Sequence, residues 1–181
     1  VPRIVDRADQ RVLLARAALE LFAREGFSRV TMRGAAEAVG VSTGTLYHYF
    51  TDKADLFAAV VDTVVETDVL EVGAGLLALP LPLRLGGLLE ATQHGIDRLV
   101  RDYRVLIDAV AMQPGRFSDS MAEARERYRL AVMGVLQIDA AHADLVLLAL
   151  SGLILRAICG DTGTDLNALR VALQRQLQET E

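Results

Sequence analysis

Ser42, Thr43, Thr45, Tyr47 and His48 follow one another closely, with Gly44 among them. On a helix that Ser42 caps, this spacing leaves their side chains on one outer surface, while Leu46 turns inward with Val39 and Val41. Short hydroxyl and aromatic side chains held this way suit hydrogen bonding to base edges in a major groove and to phosphate oxygens. Lys53, the only lysine in the chain, stands at the start of the next helical pattern. A base there, beside backbone N–H groups, suits a phosphate. The competing reading of residues 42–49 is an ordinary helical hairpin with a polar outer face, and Gly-Val-Ser-Thr alone leaves the two about even.

Other candidate chemistry is weaker. Glu90 and His94 are spaced i, i+4, as two metal ligands on one helix face would be, but the sequence places no third ligand. Ser118, Ser120, His142 and Asp144 form no nucleophile motif. Gly73-Ala74-Gly75-Leu76-Leu77-Ala78 matches a dinucleotide fingerprint only in letters, because a helical pattern precedes it where the motif needs a strand. Cys159 reads as a buried small side chain near a helix end. One cysteine excludes an internal disulfide and a multi-cysteine zinc site.

The elements that must position these groups are helical. Val12, Leu13, Ala17, Leu21 and Phe22 recur at three- and four-residue steps and predict a helix from about Ala8 to Arg24, capped by Asp6 or Asp9 and closed by Gly26. Thr31 precedes a short helix from Met32 to Val39, which Gly40 ends. Ala35 and Ala36 are small enough for a crossing partner, and Gly40 can take the positive φ of a helix-turn-helix turn. Asp52 with Asp55 resembles a capping box opening a helix that keeps an apolar face to about Leu70. Gly73 to Pro82 reads as a break. Helical patterns resume at about 83–100, 103–112, 118–136, 141–158 and 166–178, and no strand alternation occurs.

Composition bounds the answer. The chain has 181 residues, 52% hydrophobic and 24% charged, with mean hydropathy +0.29, which excludes intrinsic disorder. The net charge of −5 is uneven: residues 1–60 carry eight bases against seven acids, and 61–181 eleven against seventeen. Only the first third tolerates a polyanion. The N-terminus lacks an apolar signal region, and the run Leu145–Leu155 reads as too short to span a bilayer, so the expectation is a soluble, cytoplasmic protein with no membrane partner.

The stretch from Ala17 to Phe57 settles the hairpin question. Leu21-Phe22-Ala23-Arg24-Glu25-Gly26-Phe27, Thr31-Met32-Arg33, Gly40-Val41-Ser42-Thr43-Gly44-Thr45-Leu46-Tyr47-His48-Tyr49-Phe50 and Lys53-Ala54-Asp55-Leu56-Phe57 closely resemble the DNA-binding domain of TetR-family transcriptional regulators. The resemblance implies an all-α fold of about nine helices: a three-helix helix-turn-helix DNA-binding domain over 1–52, then a helical ligand-binding and dimerisation domain over 53–181. It implies a phosphate contact at Thr31 and a base or backbone contact at Arg33. Ser42, Thr43, Gly44 and Thr45 match the front of the recognition helix. Tyr47 and His48 match phosphate-facing positions, and Lys53 matches a lysine at the start of helix four. Gly44 removes a side chain where a base reader would stand, Tyr49 and Phe50 suit packing, and Arg3 and Arg7 suit either a basic arm or a frayed end.

The expected partners are double-stranded operator DNA, a second copy of the chain, and a small hydrophobic or amphipathic effector that releases a repressor. No catalysed reaction, cofactor or metal is expected. An effector cavity is expected within residues 83–160, with His94, Tyr103, Met112, Phe117 and Tyr128 as candidates. Residues 141–178 are the expected dimer interface, because Ala143–Ile158 is apolar nearly all round and Leu166, Leu169, Leu173 and Leu177 form a stripe. The alternatives are an activator or effector-independent regulator of this fold, or an all-helical enzyme or carrier with an incidental helix-turn-helix.

Overall fold

The computed structural model describes residues 7–178, and among them it has nine helices and no strand. In chain order these are α1 (Arg7–Glu25), α2 (Met32–Ala38), α3 (Thr43–Tyr49), α4 (Lys53–Leu77), α5 (Leu81–His94), α6 (Ile96–Met112), α7 (Ser118–Leu136), α8 (Ala140–Ile158) and α9 (Leu166–Gln178). They pack as two units. One comprises the described residues up to Glu66 together with Arg104–Ala124; the other comprises Thr67–Tyr103 and the described residues from Arg125 onward.

In the first unit α1 packs on α2 and α2 on α3. Ala35 and Ala36 are fully buried where these helices approach, so the small residues serve the crossing that the sequence predicts. Gly26 and Gly40 take φ of +77° and +75°, a region open to glycine without a Cβ penalty. The core is aromatic: Phe22, Phe27, Phe57 and Phe117 meet with ring centroids 5.2–6.1 Å apart, mostly edge to face. From α6, Asp108 accepts the Ser28 N–H at 2.8 Å and so holds the α1–α2 connection.

The second unit has an aliphatic core built on Leu85, Leu88, Leu89, Val132, Val135, Val146 and Leu173. Arg84 donates to the carbonyls of Leu79 and Val135, at 2.9 and 2.8 Å, which satisfies backbone groups at two helix ends. Asp139 caps α8 by accepting the His142 N–H at 2.9 Å.

Several expectations are corrected. Gly73 and Gly75 do not break α4, which continues to Leu77; two helical glycines cost about 1 kcal/mol each, and the apolar flanks carry the helix past them. The break falls at Pro80, which caps α5. The next interruption comes at Gly95 rather than between Val100 and Tyr103, so Arg101 and Asp102 lie inside α6. Asp52 accepts the Asp55 N–H at 2.8 Å, but Asp55 does not complete a reciprocal box; it takes the Thr51 N–H instead. Helix α8 has 19 residues and is long and apolar enough, by length and composition, to cross a membrane, because Asp144 and Arg156 do not end the helix as they end the apolar run. Asp6 and Arg3 lie outside the described residues; Asp9 sits in the first turn of α1.

Candidate functional site

Thr31 caps α2, its Oγ1 accepting the Gly34 N–H at 3.1 Å. Ser42 caps α3 in the same way, accepting the Thr45 N–H at 3.0 Å, and its hydroxyl also pairs with the Thr45 hydroxyl at 2.8 Å. Both hydroxyls therefore have structural work before any ligand arrives. Leu46 is fully buried and fixes the rotation of α3. That rotation leaves Gly44, Thr45, Tyr47 and His48 exposed, Thr43 half-buried, and Tyr47 open over 53% of its surface. Arg33 is exposed on α2. Among the described residues a Cβ on Gly44 would meet only Ser42 Oγ, at 3.8 Å, so none of them requires glycine there.

The C-terminal end of α3 is anchored by side chains of α1 and α4. Arg7 donates to the His48 carbonyl at 2.8 Å, so its guanidinium serves α3 in this structure rather than a free basic arm. Arg11 donates to the Tyr49 carbonyl, pairs with the Asp55 carboxylate and lies 4.4 Å from the Phe50 ring centroid. Asp55 also accepts from Thr51. Burial works against its ionisation, but the hydrogen bonds from Arg11 and Thr51, with the Arg11 charge, outweigh burial and hold the carboxyl below its ordinary value. A basic residue one turn into α1 with an acid two positions after Lys53 was the available signal, though nothing in one sequence pairs residues 44 positions apart.

Lys53 is half-buried. Its ammonium donates to the Phe27 carbonyl at 2.9 Å and lies 4.4 Å from the Phe27 ring centroid. Partial burial pulls its pKa below the usual lysine value, and the Asp108 carboxylate opposes the shift.

The second unit holds a half-open cavity of about 170 Å³ lined by Asp68, Val72, Leu76, Leu88, Thr92, Arg98, Tyr103, Tyr128, Val132, Leu147, Ser151 and Ile154 among others. Tyr103 and Tyr128 belong to the wall. The other three candidates do not: His94 is exposed with Nδ1 2.7 Å from the Glu90 carbonyl, Met112 is exposed, and Phe117 is buried in the aromatic core of the first unit. Phe117 is corrected because a core phenylalanine and a cavity phenylalanine have the same sequence signature. The expected span 83–160 also omits the α4 wall, which runs from Asp68, within the helix read to about Leu70, to Leu76, in the stretch read as a break. Asp68 is largely buried, 2.8 Å from Arg98 Nη1, and accepts from the Tyr128 hydroxyl at 2.8 Å. Burial first, then the Asp68 charge, pushes the Tyr128 phenol well above its ordinary pKa. No group of three or more metal-binding side chains occurs among the described residues.

Helix α8 exposes Leu148 and Leu155, at 71% and 56%, while burying Val146, Leu153 and Ile154. The leucine stripe of α9 is corrected. Leu173 is buried, and Leu166, Leu169 and Leu177 pack against the core of the same unit, so the exposed apolar residues of α9 are Ala168, Val171 and Ala172.

Residues 14–60 match the family described as bacterial regulatory proteins, tetR family. The chain is 30% identical over 116 residues to the HTH-type transcriptional repressor AcnR of Corynebacterium diphtheriae, covering 56% of this chain and 61% of that protein. It is 30% identical over 127 residues to the HTH-type transcriptional regulator TtgR of Pseudomonas putida, covering 69% of this chain and 60% of that one. Each alignment thus spans about three fifths of the relative's length. A TetR-family structure from Streptomyces coelicolor superposes with a TM-score of 0.71 at 21% identity, over 96% of this chain and 99% of its own.

Proposed function

From the match of residues 14–60 to the tetR family we propose that the chain is a member of that family and a cytoplasmic DNA-binding transcriptional regulator, a repressor released from its operator by a small hydrophobic or amphipathic ligand. It catalyses no reaction. Residues 1–52 read operator DNA, and 53–181 bind the effector and a second copy of the chain. One observation carries the reading: α3 buries Leu46 and turns Thr43, Gly44, Thr45, Tyr47 and His48 outward from a capped, anchored helix.

On the DNA, Thr43 meets a base edge, while Thr31, Tyr47 and His48 meet phosphates and Arg33 meets a base or the backbone. Ser42 and Thr45 contribute through the N-terminus of α3. Lys53 has three N–H groups; with the Phe27 and Ser28 carbonyls taking two, the ammonium still presents one donor to a phosphate. Dimerisation through residues 141–178 covers Leu148 and Leu155. It sets two recognition helices against half-sites about 34–36 Å apart, or a multiple of that. Helix α4 begins at Lys53 and contributes Asp68, Val72 and Leu76 to the cavity wall. A ligand that favours one pose of α4 weakens DNA binding by as much as its affinities for the two poses differ.

The test is binding to a selected operator and to scrambled duplex across a salt series. Thr43→Ala should lose about 1–3 kcal/mol on the operator alone. Lys53→Ala should weaken both duplexes and lower the salt slope by about one unit for each phosphate left without its ammonium. If both variants bind both duplexes like the native protein, α3 is not the DNA-binding surface.

A further inference from the structure

Three polar side chains of the cavity wall are already partnered in one direction, while the hydroxyls of Tyr103 and Ser151 also line it. Tyr128 donates to Asp68 Oδ2 at 2.8 Å, Thr92 donates to the Leu88 carbonyl at 2.9 Å, and Arg98 Nη1 lies 2.8 Å from Asp68 Oδ1. What these oxygens keep is acceptor capacity: lone pairs on Tyr128, Thr92 and Asp68. Charge is balanced as well. Arg98 faces Asp68 and stands 3.9 Å from Asp102, which Arg101 approaches to 3.5 Å, so two carboxylates meet two guanidiniums. A charged ligand would have to break a pair or stand uncompensated beside one, which is costly where groups are partly buried. Apart from Tyr103 and Ser151, the remaining wall is aliphatic, with Val72, Leu76, Leu88, Val132, Leu147 and Ile154. A volume of about 170 Å³ is close to the roughly 150 Å³ cavity that holds a benzene ring.

We propose that the cavity takes a neutral compound of about single-ring bulk carrying one hydrogen-bond donor, its donor at Asp68 and Tyr128 and its ring among the aliphatic side chains. This rests on the effector reading above and names its chemistry. Arg98 is then a specificity-determining residue, because it cancels the charge that would otherwise draw a cationic ligand to Asp68.

Calorimetric titration of the full chain near pH 7 with phenol, toluene, benzylammonium and benzoate tests it. Phenol should bind about three- to tenfold more tightly than toluene, the worth of one hydrogen bond. The two ions should bind at least about tenfold more weakly than phenol, since each brings an unpaired charge. Arg98→Met should make benzylammonium the tightest of the four. Asp68→Asn, the mirror variant, should raise benzoate instead, and it serves alone if Arg98→Met does not fold. The proposal is overturned if either ion matches phenol on the native protein, if none of the four binds, or if the folded variants leave the order unchanged. Operator affinity measured beside each titration keeps the two readings apart. Phenol that binds without weakening the operator complex removes induction and leaves the ligand class standing. An ion that binds and releases DNA does the reverse.

Discussion

All five phenylalanines of the chain lie in the first unit and are buried there, whereas the second unit fills its core with leucine, valine and isoleucine and keeps a cavity. The two cores answer different demands. Edge-to-face rings lock one another's orientation, so α1 and α4, whose Arg11 and Asp55 anchor the end of α3, are held in one arrangement. Aliphatic side chains with several rotamers tolerate space and can repack around it. Under the proposed function, a surface that matches a rigid duplex gains from the first kind of core, and a chamber that accepts a small molecule gains from the second.

The largest expected effect tests that contrast directly. Phe27→Ala should lower unfolding free energy by about 3–5 kcal/mol in chemical denaturation, since the ring is fully buried against Phe22, Phe57 and Phe117. Leu150→Ala, at the cavity wall, should fall below that range because the side chain already faces space. Equal losses would mean that the two cores are equally rigid and the comparison is wrong.

The next effect concerns how the first unit is held at its edge. Asp55→Asn should cost about 1–3 kcal/mol near neutral pH by weakening the hydrogen bonds from Arg11 and Thr51. The Asp55 pKa is lower folded than unfolded, so its stabilisation is present above the unfolded value of 3.8 and is lost as pH falls through the folded value. Melting curves of native and variant protein should therefore converge in acid and separate above about pH 5. A gap that persists unchanged below pH 2 would assign the loss to packing.

Smaller still is the cap of α3. Ser42→Ala should destabilise by about 1 kcal/mol through loss of the bond to the Thr45 N–H. It should also reduce preference for the operator, since the front of α3 frays; a variant with native operator preference would detach the cap from recognition. The smallest effect on the protomer is expected on the second unit's outer face. Leu148→Glu should change protomer stability by no more than about 0.5 kcal/mol, the range for exposed positions. The same variant should sediment as a monomer, and the native chain as the proposed dimer of 19.6 kDa copies. A dimer that survives places the interface elsewhere.

Legibility differed between the units for a physical reason. In the first, Gly26, Gly40, Thr31 and Ser42 are local devices, each acting within a few residues, and the structure puts them at the turns and caps their types suggest. Asp55 misleads because its carboxylate chooses among partners supplied by Thr51 and by Arg11 on α1, a choice that no local spacing encodes. In the second unit, Gly73 and Gly75 punctuate a strip of sequence but not the helix, whose apolar neighbours are held by tertiary packing. His94 and Met112 look as eligible for a cavity as Tyr103 and Tyr128, since polarity and size are all that a sequence displays.

What the amino-acid sequence determined by itself is therefore the part written in short-range rules: an all-helical chain, a capped helix-turn-helix, Leu46 inward with hydroxyls and aromatics outward, and an uneven charge. What only the tertiary structure decided is the set of long-range pairings. Lys53 meets the Phe27 carbonyl, Arg11 meets Asp55, and Asp68 meets both Arg98 and Tyr128 around a cavity. Helical periodicity fixes which residues share a face, but which faces meet depends on how the whole chain can bury its apolar surface at once. That is why Phe117 went to a core and Tyr128 to a cavity wall.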